Sequence, residues 1–332
     1  MVVKIMLYGI REEEIPMVAE WSDKNAVTVD YTELNLTAET IELAKGYDGV
    51  TISQVADLDV SLYAILASYG IKQIAQRSAG FEMHDLDAAN THQLIISNVP
   101  SYSPESIAEY AVTAALNLVR KTDLIQAKIA EQDFRWMPAI RARVINEMTV
   151  AVIGVGRIGS RVAKIYRGFG ARVVAYDIKP LAEFADLVDY QDSAEAAIAQ
   201  ADIVTIHMPA TALNYQQFSL DLFKQFKPGA VLINTARGPI VDTEDLFAAL
   251  DAGYLTGAAL DVYAGEAAYI PVDWRGRDIL DPIFQKLITH PQIIYTPHTA
   301  FYTDTAVQNL IDIPLDATLD VIRTGDTQLR VN

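Results

Sequence analysis

Strand-length apolar runs alternating with helix-period segments, a strand–glycine-turn–helix unit in mid-chain and polar residues at successive strand ends predict an α/β fold of helix-covered parallel sheets. The alternation starts at once. Lys4–Tyr8, Glu13–Trp21, Val27–Tyr31, Thr40–Lys45, Gly49–Ser53, Leu62–Ser68, Ile71–Arg77, Leu86–Asn90 and Leu94–Val99 read in turn as strand and helix. Pro100 stops this series. Ser103-Pro104-Glu105 then supplies an N-cap, a first-turn proline and a first-turn acid for the apolar-striped segment Ile107–Arg120, read as the helix crossing into a second domain. Lys121–Met148 reads as irregular and amphipathic. Its Trp136 beside Arg135 suits either a partner-facing arm or an ordinary covering loop.

The second domain opens on TVAVIGVGRIGSRVAKIYRGFGARVVAYD, Thr149 to Asp177. A β-branched strand runs into Gly154-Val155-Gly156-Arg157-Ile158-Gly159, a helix-period segment follows, and a second strand ends in an acid. Gly154 permits the tight turn, Gly156 lets backbone approach a pyrophosphate, and Gly159 lets the helix pack on the strand. The free N–H groups at that helix start favour a diphosphate. Asp177 can accept bonds from a ribose diol and would repel a 2′-phosphate. With Ile178 and then Lys179 following, rather than arginine, NAD is expected over NADP.

Further strands are read at Asp202–His207, Ala230–Thr235, Gly257–Val262 and Ile293–Thr296, and Thr303–Arg323 reads as a helix returning to the first domain. The first domain is then discontinuous, 1–100 plus 300–332, around a dinucleotide-binding domain at 101–299. Asp177, His207, Arg237, Asp261 with Glu266, and His298 stand at or just past strand ends, where an open parallel sheet binds ligands. Arg237 offers a planar fork of donors for a carboxylate and its neighbouring carbonyl. His298 can move a proton near neutral pH, and Glu266 can orient it. This set suits redox chemistry on a 2-oxo acid. Each residue also has a plainer reading: an arginine on loop carbonyls, a capping histidine, a solvated acid. His207 rivals His298 for the proton-transfer role, whereas His84, His92 and His290 read as surface residues.

Composition narrows the field. The 332 residues are 51% hydrophobic, carry a formal charge of -17 and include no cysteine. That excludes disulfides and thiolate metal sites, and with no histidine pair at ligand spacing no metal is expected. The charge argues against nucleic acid. No run has membrane-spanning length, and the charged N-terminus does not read as a signal peptide, so a cytoplasmic protein is expected.

Taken together, the sequence resembles the NAD-dependent D-2-hydroxyacid dehydrogenases, and within them the bacterial D-lactate dehydrogenases, over essentially its whole length. The marks are Asn98-Val99-Pro100 with Tyr102-Ser103-Pro104, the Gly154 turn with Tyr176-Asp177, Ala236-Arg237-Gly238-Pro239, Asp261-Val262-Tyr263 with Glu266, and Thr296-Pro297-His298-Thr299-Ala300-Phe301-Tyr302. The resemblance implies two doubly wound parallel-sheet domains, a Rossmann NAD-binding domain inserted into a flavodoxin-like substrate domain, and a homodimer. It implies that Arg237 binds the substrate's carboxylate and carbonyl, that His298 donates the proton and that Glu266 partners it. Cofactor contacts are implied at Gly154, Gly156, Arg157, Ile158, Gly159, Asp177, Met208, Pro209, Asn214, Thr235, Ala236 and Asp261. Substrate contacts fall to Ser53, Arg77, Ala79, Gly80, Tyr102, Phe301 and Tyr302.

Two departures bear on the substrate. Ser78-Ala79-Gly80 follows Arg77 where the family usually has Asn-Val-Gly, although backbone amides serve a carboxylate whatever the side chains. Ser53 stands where lactate-selective relatives tend to carry an aromatic residue, so a D-2-hydroxyisocaproate- or D-phenyllactate-type preference for bulky side chains is the alternative. NAD-responsive corepressor-like binding proteins share much of the pattern but carry disordered extensions, and the formate dehydrogenase group places Gln where Glu266 stands.

Overall fold

The computed structural model describes residues 3–54 and 56–332, which divide into two compact units, 1–103 with 302–332, and 104–301. In the first unit the chain runs β1 (Lys4–Tyr8), α1 (Ile15–Asn25), β2 (Thr28–Thr32), β3 (Gly49–Ile52), α2 (Ser61–Ser68), β4 (Gln73–Gln76), α3 (Leu86–Thr91) and β5 (Ile95–Ser97). The strands form a parallel sheet in the order β2-β1-β3-β4-β5, the flavodoxin-like arrangement. Strand β1 shows why its apolar run is unbroken. Met6 and Tyr8 enter the core on one face, Ile5 and Leu7 the core on the other, so from Ile5 to Tyr8 both faces are buried and only Lys4 at the start is exposed. Thr40–Lys45, read as one of the alternating elements, forms only a short 3-10 turn over Ile41–Ala44.

The second unit continues with α4 (Pro104–Arg120), α5 (Thr122–Ala130), β6 (Thr149–Ile153), α6 (Arg157–Gly168), β7 (Arg172–Tyr176), β8 (Asp189–Tyr190), α7 (Ala194–Ile198), β9 (Ile203–Ile206), α8 (Leu220–Phe223), β10 (Val231–Asn234), α9 (Thr243–Asp251), β11 (Gly257–Leu260), α10 (Pro282–Thr289) and β12 (Ile293–Tyr295). Its seven strands are all parallel, ordered β12-β11-β10-β9-β6-β7-β8, which is the Rossmann order extended by one strand. Helix α4, expected to cross between domains, packs inside this unit. Its buried stripe Ala108, Ala111, Val112, Ala115 and Val119 lies against α6, β10 and β11. The small side chains permit that close packing.

Residues 121–148 are not wholly irregular, since they hold helix α5, which buries none of its residues and so has no apolar stripe to read. Beyond it Phe134 is 73% and Trp136 98% exposed. Asp202 gathers the amino ends of three strands: its buried carboxylate accepts from Thr149 N, Arg143 and Lys227 at 2.7 to 2.9 Å.

Helix α11 (Asp304–Thr324), capped by Thr303 and ended by left-handed Gly325, belongs to the first unit. Ile311, Leu315 and Leu319 complete the core over β1 and α1, and Trp21 Nε1 donates to Asp316 at 2.8 Å. Among the described residues, no helix is long and apolar enough to cross a membrane.

Candidate active site

In a parallel sheet the ligand site lies where the strand order reverses. In the second unit that point falls between β6 and β9, and the glycine turn after β6 sits there. Gly154 has φ +96°, and a Cβ on it would stand 2.8 Å from the His207 carbonyl; one on Gly159 would stand 1.9 Å from Gly154 O. Around Gly156, by contrast, the space is open. The turn is therefore pressed onto the β9 end while its tip and the first N–H groups of α6 stay available to a diphosphate. Asp177 closes the turn, accepting Val155 N at 2.7 Å on one oxygen and Lys179 N at 2.8 Å on the other. Each oxygen keeps a lone pair for a ribose hydroxyl. These residues fit a dinucleotide, as do two buried polar atoms at neighbouring strand ends that find no protein partner, His207 Nδ1 and Thr235 Oγ1.

The other positions expected to contact the cofactor sort by what holds them. Arg157 is exposed and Ile158 half-buried at the start of α6; Met208 and Pro209 follow β9; Ala236 is half-buried after β10. Asn214 turns back on its own loop. Its amide accepts from Thr211 N and donates to Pro209 O, so its side chain shapes the loop. Asp261 is likewise held by protein partners. Its carboxylate, 2% exposed, accepts Thr296 Oγ1 at 2.6 Å, Thr299 N at 2.9 Å and Ala300 N at 2.8 Å, and is thereby committed to the loop that carries His298. Burial pushes its carboxyl pKa up, against those three bonds and the nearby His298, which pull it down.

That loop delivers the imidazole. His298 sits in the left-handed region, φ +54°, with its N–H on Asp261 O (2.8 Å) and Thr296 O (3.0 Å). Its Nδ1 meets Glu266 Oε1 at 2.6 Å, and Glu266 Oε2 accepts Tyr263 N at 2.7 Å. The acid is thus locked from two sides. The imidazole side chain is 38% exposed against 16% for the glutamate, so Nε2 is the nitrogen left to act outward. Phe301 stands edge-on to the ring, centroids 6.3 Å apart.

Arg237 is positioned by a residue the sequence reading passed over. Fully buried Asn234 at the end of β10 donates to Arg237 O (3.0 Å) and accepts Ala236 N (3.0 Å), and Arg237 Nη1 donates to Ala236 O (2.8 Å). Gly238 then seats this turn on the one before Glu266, for a Cβ there would lie 2.2 Å from Tyr263 C. The signal was present in Asn234 and Gly238 flanking the arginine, a polar strand end and a glycine where the backbone must pass close. At His207 burial holds the imidazole down at about 3, so the ring is neutral at neutral pH.

In the first unit the order reverses between β1 and β3, and half-buried Ser53, just past β3, lies there beside Gly9. Arg77 does not offer its side chain to a ligand. Its guanidinium is 1% exposed, bonded to buried Glu14 (3.2 Å) and Gly9 O (2.7 Å), and it braces the β1 end from within. Ala79 and Gly80 are half-buried on the loop after it, and Tyr102 O accepts Asn309 Nδ2 at 2.7 Å. Tyr302 hydrogen-bonds Glu13 and carries the Arg11 guanidinium over its ring at 5.4 Å. His84, read as a surface residue, is buried.

Residues 112–300 match the family model described as D-isomer specific 2-hydroxyacid dehydrogenase, NAD binding domain. Over 332 residues the chain is 51% identical to the D-lactate dehydrogenase of Streptococcus agalactiae serotype III (strain NEM316), covering 99% of this chain and 100% of that one. The NAD-complexed D-isomer specific 2-hydroxyacid dehydrogenase of Lactobacillus delbrueckii ssp. bulgaricus superposes with a TM-score of 0.89 at 35% identity, covering 99% and 100% of the two chains. For a D-2-hydroxyisocaproate dehydrogenase the TM-score is 0.93 at 33% identity, with 99% of each chain covered. The chain therefore belongs to the D-isomer specific 2-hydroxyacid dehydrogenases, enzymes that use NAD to interconvert a 2-oxo acid and a D-2-hydroxy acid.

Proposed function

We propose that in this enzyme Arg237, His298 and Glu266 perform the reduction and that units 1–103 with 302–332, and 104–301, serve substrate and dinucleotide respectively. The observation that carries the assignment of roles is the 2.6 Å contact of His298 Nδ1 with Glu266 Oε1. NADH, when bound, supplies a hydride to the carbonyl carbon. Arg237 holds the carboxylate with its donor fork and polarises the carbonyl. His298, oriented through Nδ1, gives the Nε2 proton to the carbonyl oxygen, and Glu266 balances the imidazolium before transfer. Ala79 and Gly80 N–H groups bind the carboxylate, and Ser53, Tyr102, Phe301 and Tyr302 border the side chain.

Pyruvate is the small end of the substrate range, as the 51% identical relative suggests. Ser53, at a position that an aromatic residue would fill, favours bulkier 2-oxo acids. We also propose a cytoplasmic homodimer without nucleic-acid partners. The cysteine-free, strongly anionic sequence and the exposed Phe134 and Trp136 support this, and light scattering of the wild type and of Trp136→Ala tests the dimer.

The central test is a panel from pyruvate through 4-methyl-2-oxopentanoate to phenylpyruvate, followed by NADH oxidation with chiral analysis of product, on wild type, His298→Gln and His207→Gln. His298→Gln should lose on the order of 10²–10⁴ in turnover and His207→Gln clearly less. The opposite ordering would overturn the roles.

A further inference from the structure

The loop after β4 has its carbonyls and its amides divided between two tasks. Ser78 O accepts Val99 N at 2.9 Å, Ala79 O accepts Asn98 Nδ2 at 2.6 Å, and Gly80 O accepts Ser78 Oγ at 2.6 Å. All three carbonyls are thus turned toward protein donors. The N–H groups of Ala79 and Gly80, by contrast, donate to no acceptor among the described residues.

Peptide planarity makes these two facts one. In a trans peptide the C=O of one residue and the N–H of the next point in opposite directions. Val99 N, by holding Ser78 O, aims the Ala79 N–H. Asn98, by holding Ala79 O, aims the Gly80 N–H. Ser78 closes the turn on Gly80 O.

The serine hydroxyl is itself backed by a buried chain. Gln76 Nε2 donates to it at 3.0 Å and to Gln54 O at 3.2 Å; Gln76 Oε1 accepts His84 Nε2 at 3.1 Å; His84 Nδ1 faces the Tyr63 hydroxyl at 3.4 Å; and that hydroxyl accepts Asp85 N at 3.0 Å. Gln54, Tyr63, Gln76 and His84 are all buried. Polar groups are costly inside a core unless they are partnered, and this set is partnered up to the loop, where it ends on the hydroxyl that fixes Gly80 O.

We propose that Asn98 and Ser78 are positioning residues for the substrate carboxylate: they aim the Gly80 amide and close the turn, with Gln76 and His84 holding Ser78 in place. The proposal rests on the reading that the Ala79 and Gly80 amides bind that carboxylate. Ser78 stands where the family usually has asparagine after Arg77, and its hydroxyl and the Asn98 amide hold the carbonyls of Gly80 and Ala79.

Asn98→Ala, Ser78→Ala and Ser78→Thr are assayed with pyruvate and NADH, alongside oxamate titration of each enzyme with NADH bound. Loss of a bond that shapes a charged subsite should raise the pyruvate KM and the oxamate Kd about tenfold in Asn98→Ala and severalfold in Ser78→Ala. The NADH KM and kcat should stay within about threefold, and Ser78→Thr, which keeps the hydroxyl, should restore wild-type KM. An unchanged pyruvate KM in both alanine variants, or equal changes in kcat and the NADH KM, overturns the proposal. Should Asn98→Ala fail to fold, the Ser78 pair decides alone.

A backbone ester in place of the Gly80 amide separates the two levels. If the ester raises KM and the alanine variants do not, positioning is wrong and the carboxylate reading stands. If none of these changes raises KM, that reading falls too.

Discussion

Asp261→Asn isolates what a buried carboxylate does for the His298 loop. The aspartate receives Thr296 Oγ1 and Thr299 N on one oxygen and Ala300 N on the other. The isosteric amide keeps one acceptor and turns an NH2 toward the Ala300 N–H, so one charge-assisted bond is lost, about 1.5–3 kcal/mol. Part of that returns because a neutral amide is cheaper to bury than the carboxylate whose pKa burial raises. The net loss is about 2 kcal/mol, and at roughly 2–4 °C per kcal/mol for a unit of this size Tm should fall by about 4–8 °C. His298 holds a left-handed conformation that costs on the order of 1 kcal/mol, and a loosened loop will relax it. A displacement of about 1 Å at the proposed proton donor should cost about 10²-fold in turnover. Calorimetry and steady-state kinetics on the same preparation measure both. A Tm drop below 1 °C with kcat intact would refute the assignment of Asp261 to the loop.

Three further outcomes are expected. Asp177→Ala should erode the preference for NADH over NADPH, since the carboxylate at the end of β7 is the group that would repel a 2′-phosphate; an unchanged ratio of kcat/KM for the two would refute it. Ser53→Tyr should shift selectivity from phenylpyruvate toward pyruvate by about 10- to 100-fold, the range that pocket filling commands, and an unmoved panel would show that Ser53 does not border the side chain. His84 is held down to about 4 by burial, so the unfolded chain binds its proton first as pH falls below about 6.5 and stability is lost through that window. Between pH 8 and 5 that amounts to about 2 kcal/mol, and urea midpoints of His84→Gln should show a correspondingly smaller loss than wild type; parallel losses would contradict it.

How much of this was legible in the sequence follows from the range of the interactions. Strand β1 and the Gly154 turn announce themselves because their signals are local: a two-sided apolar run and a fixed spacing ending in Asp177. Glu266 and His298 were legible as types at strand ends. The ion pair of Arg77 was not legible because Glu14 lies 63 residues earlier in the chain, and the burial of His84 was not because its polar neighbours in sequence concealed the buried amide of Gln76 that receives it. Asp261 looked like a ligand group since nothing near it in sequence betrays the three donors that arrive from the loop after β12. Helix α5 was missed for the reverse reason: it buries nothing, so periodicity had nothing to report.

The clamp on Glu266 also decides what an amide would mean at that position. With one oxygen on Tyr263 N and the other on His298 Nδ1, the carboxylate cannot spin about its last torsion without forfeiting a bond. A glutamine has a single acceptor. Spent on the main-chain N–H, it leaves the NH2 facing the imidazole, and neutral histidine must then carry its hydrogen on Nε2 rather than Nδ1. The backbone amide of Tyr263 therefore selects, through whichever side chain occupies position 266, the nitrogen on which the neutral imidazole carries its hydrogen.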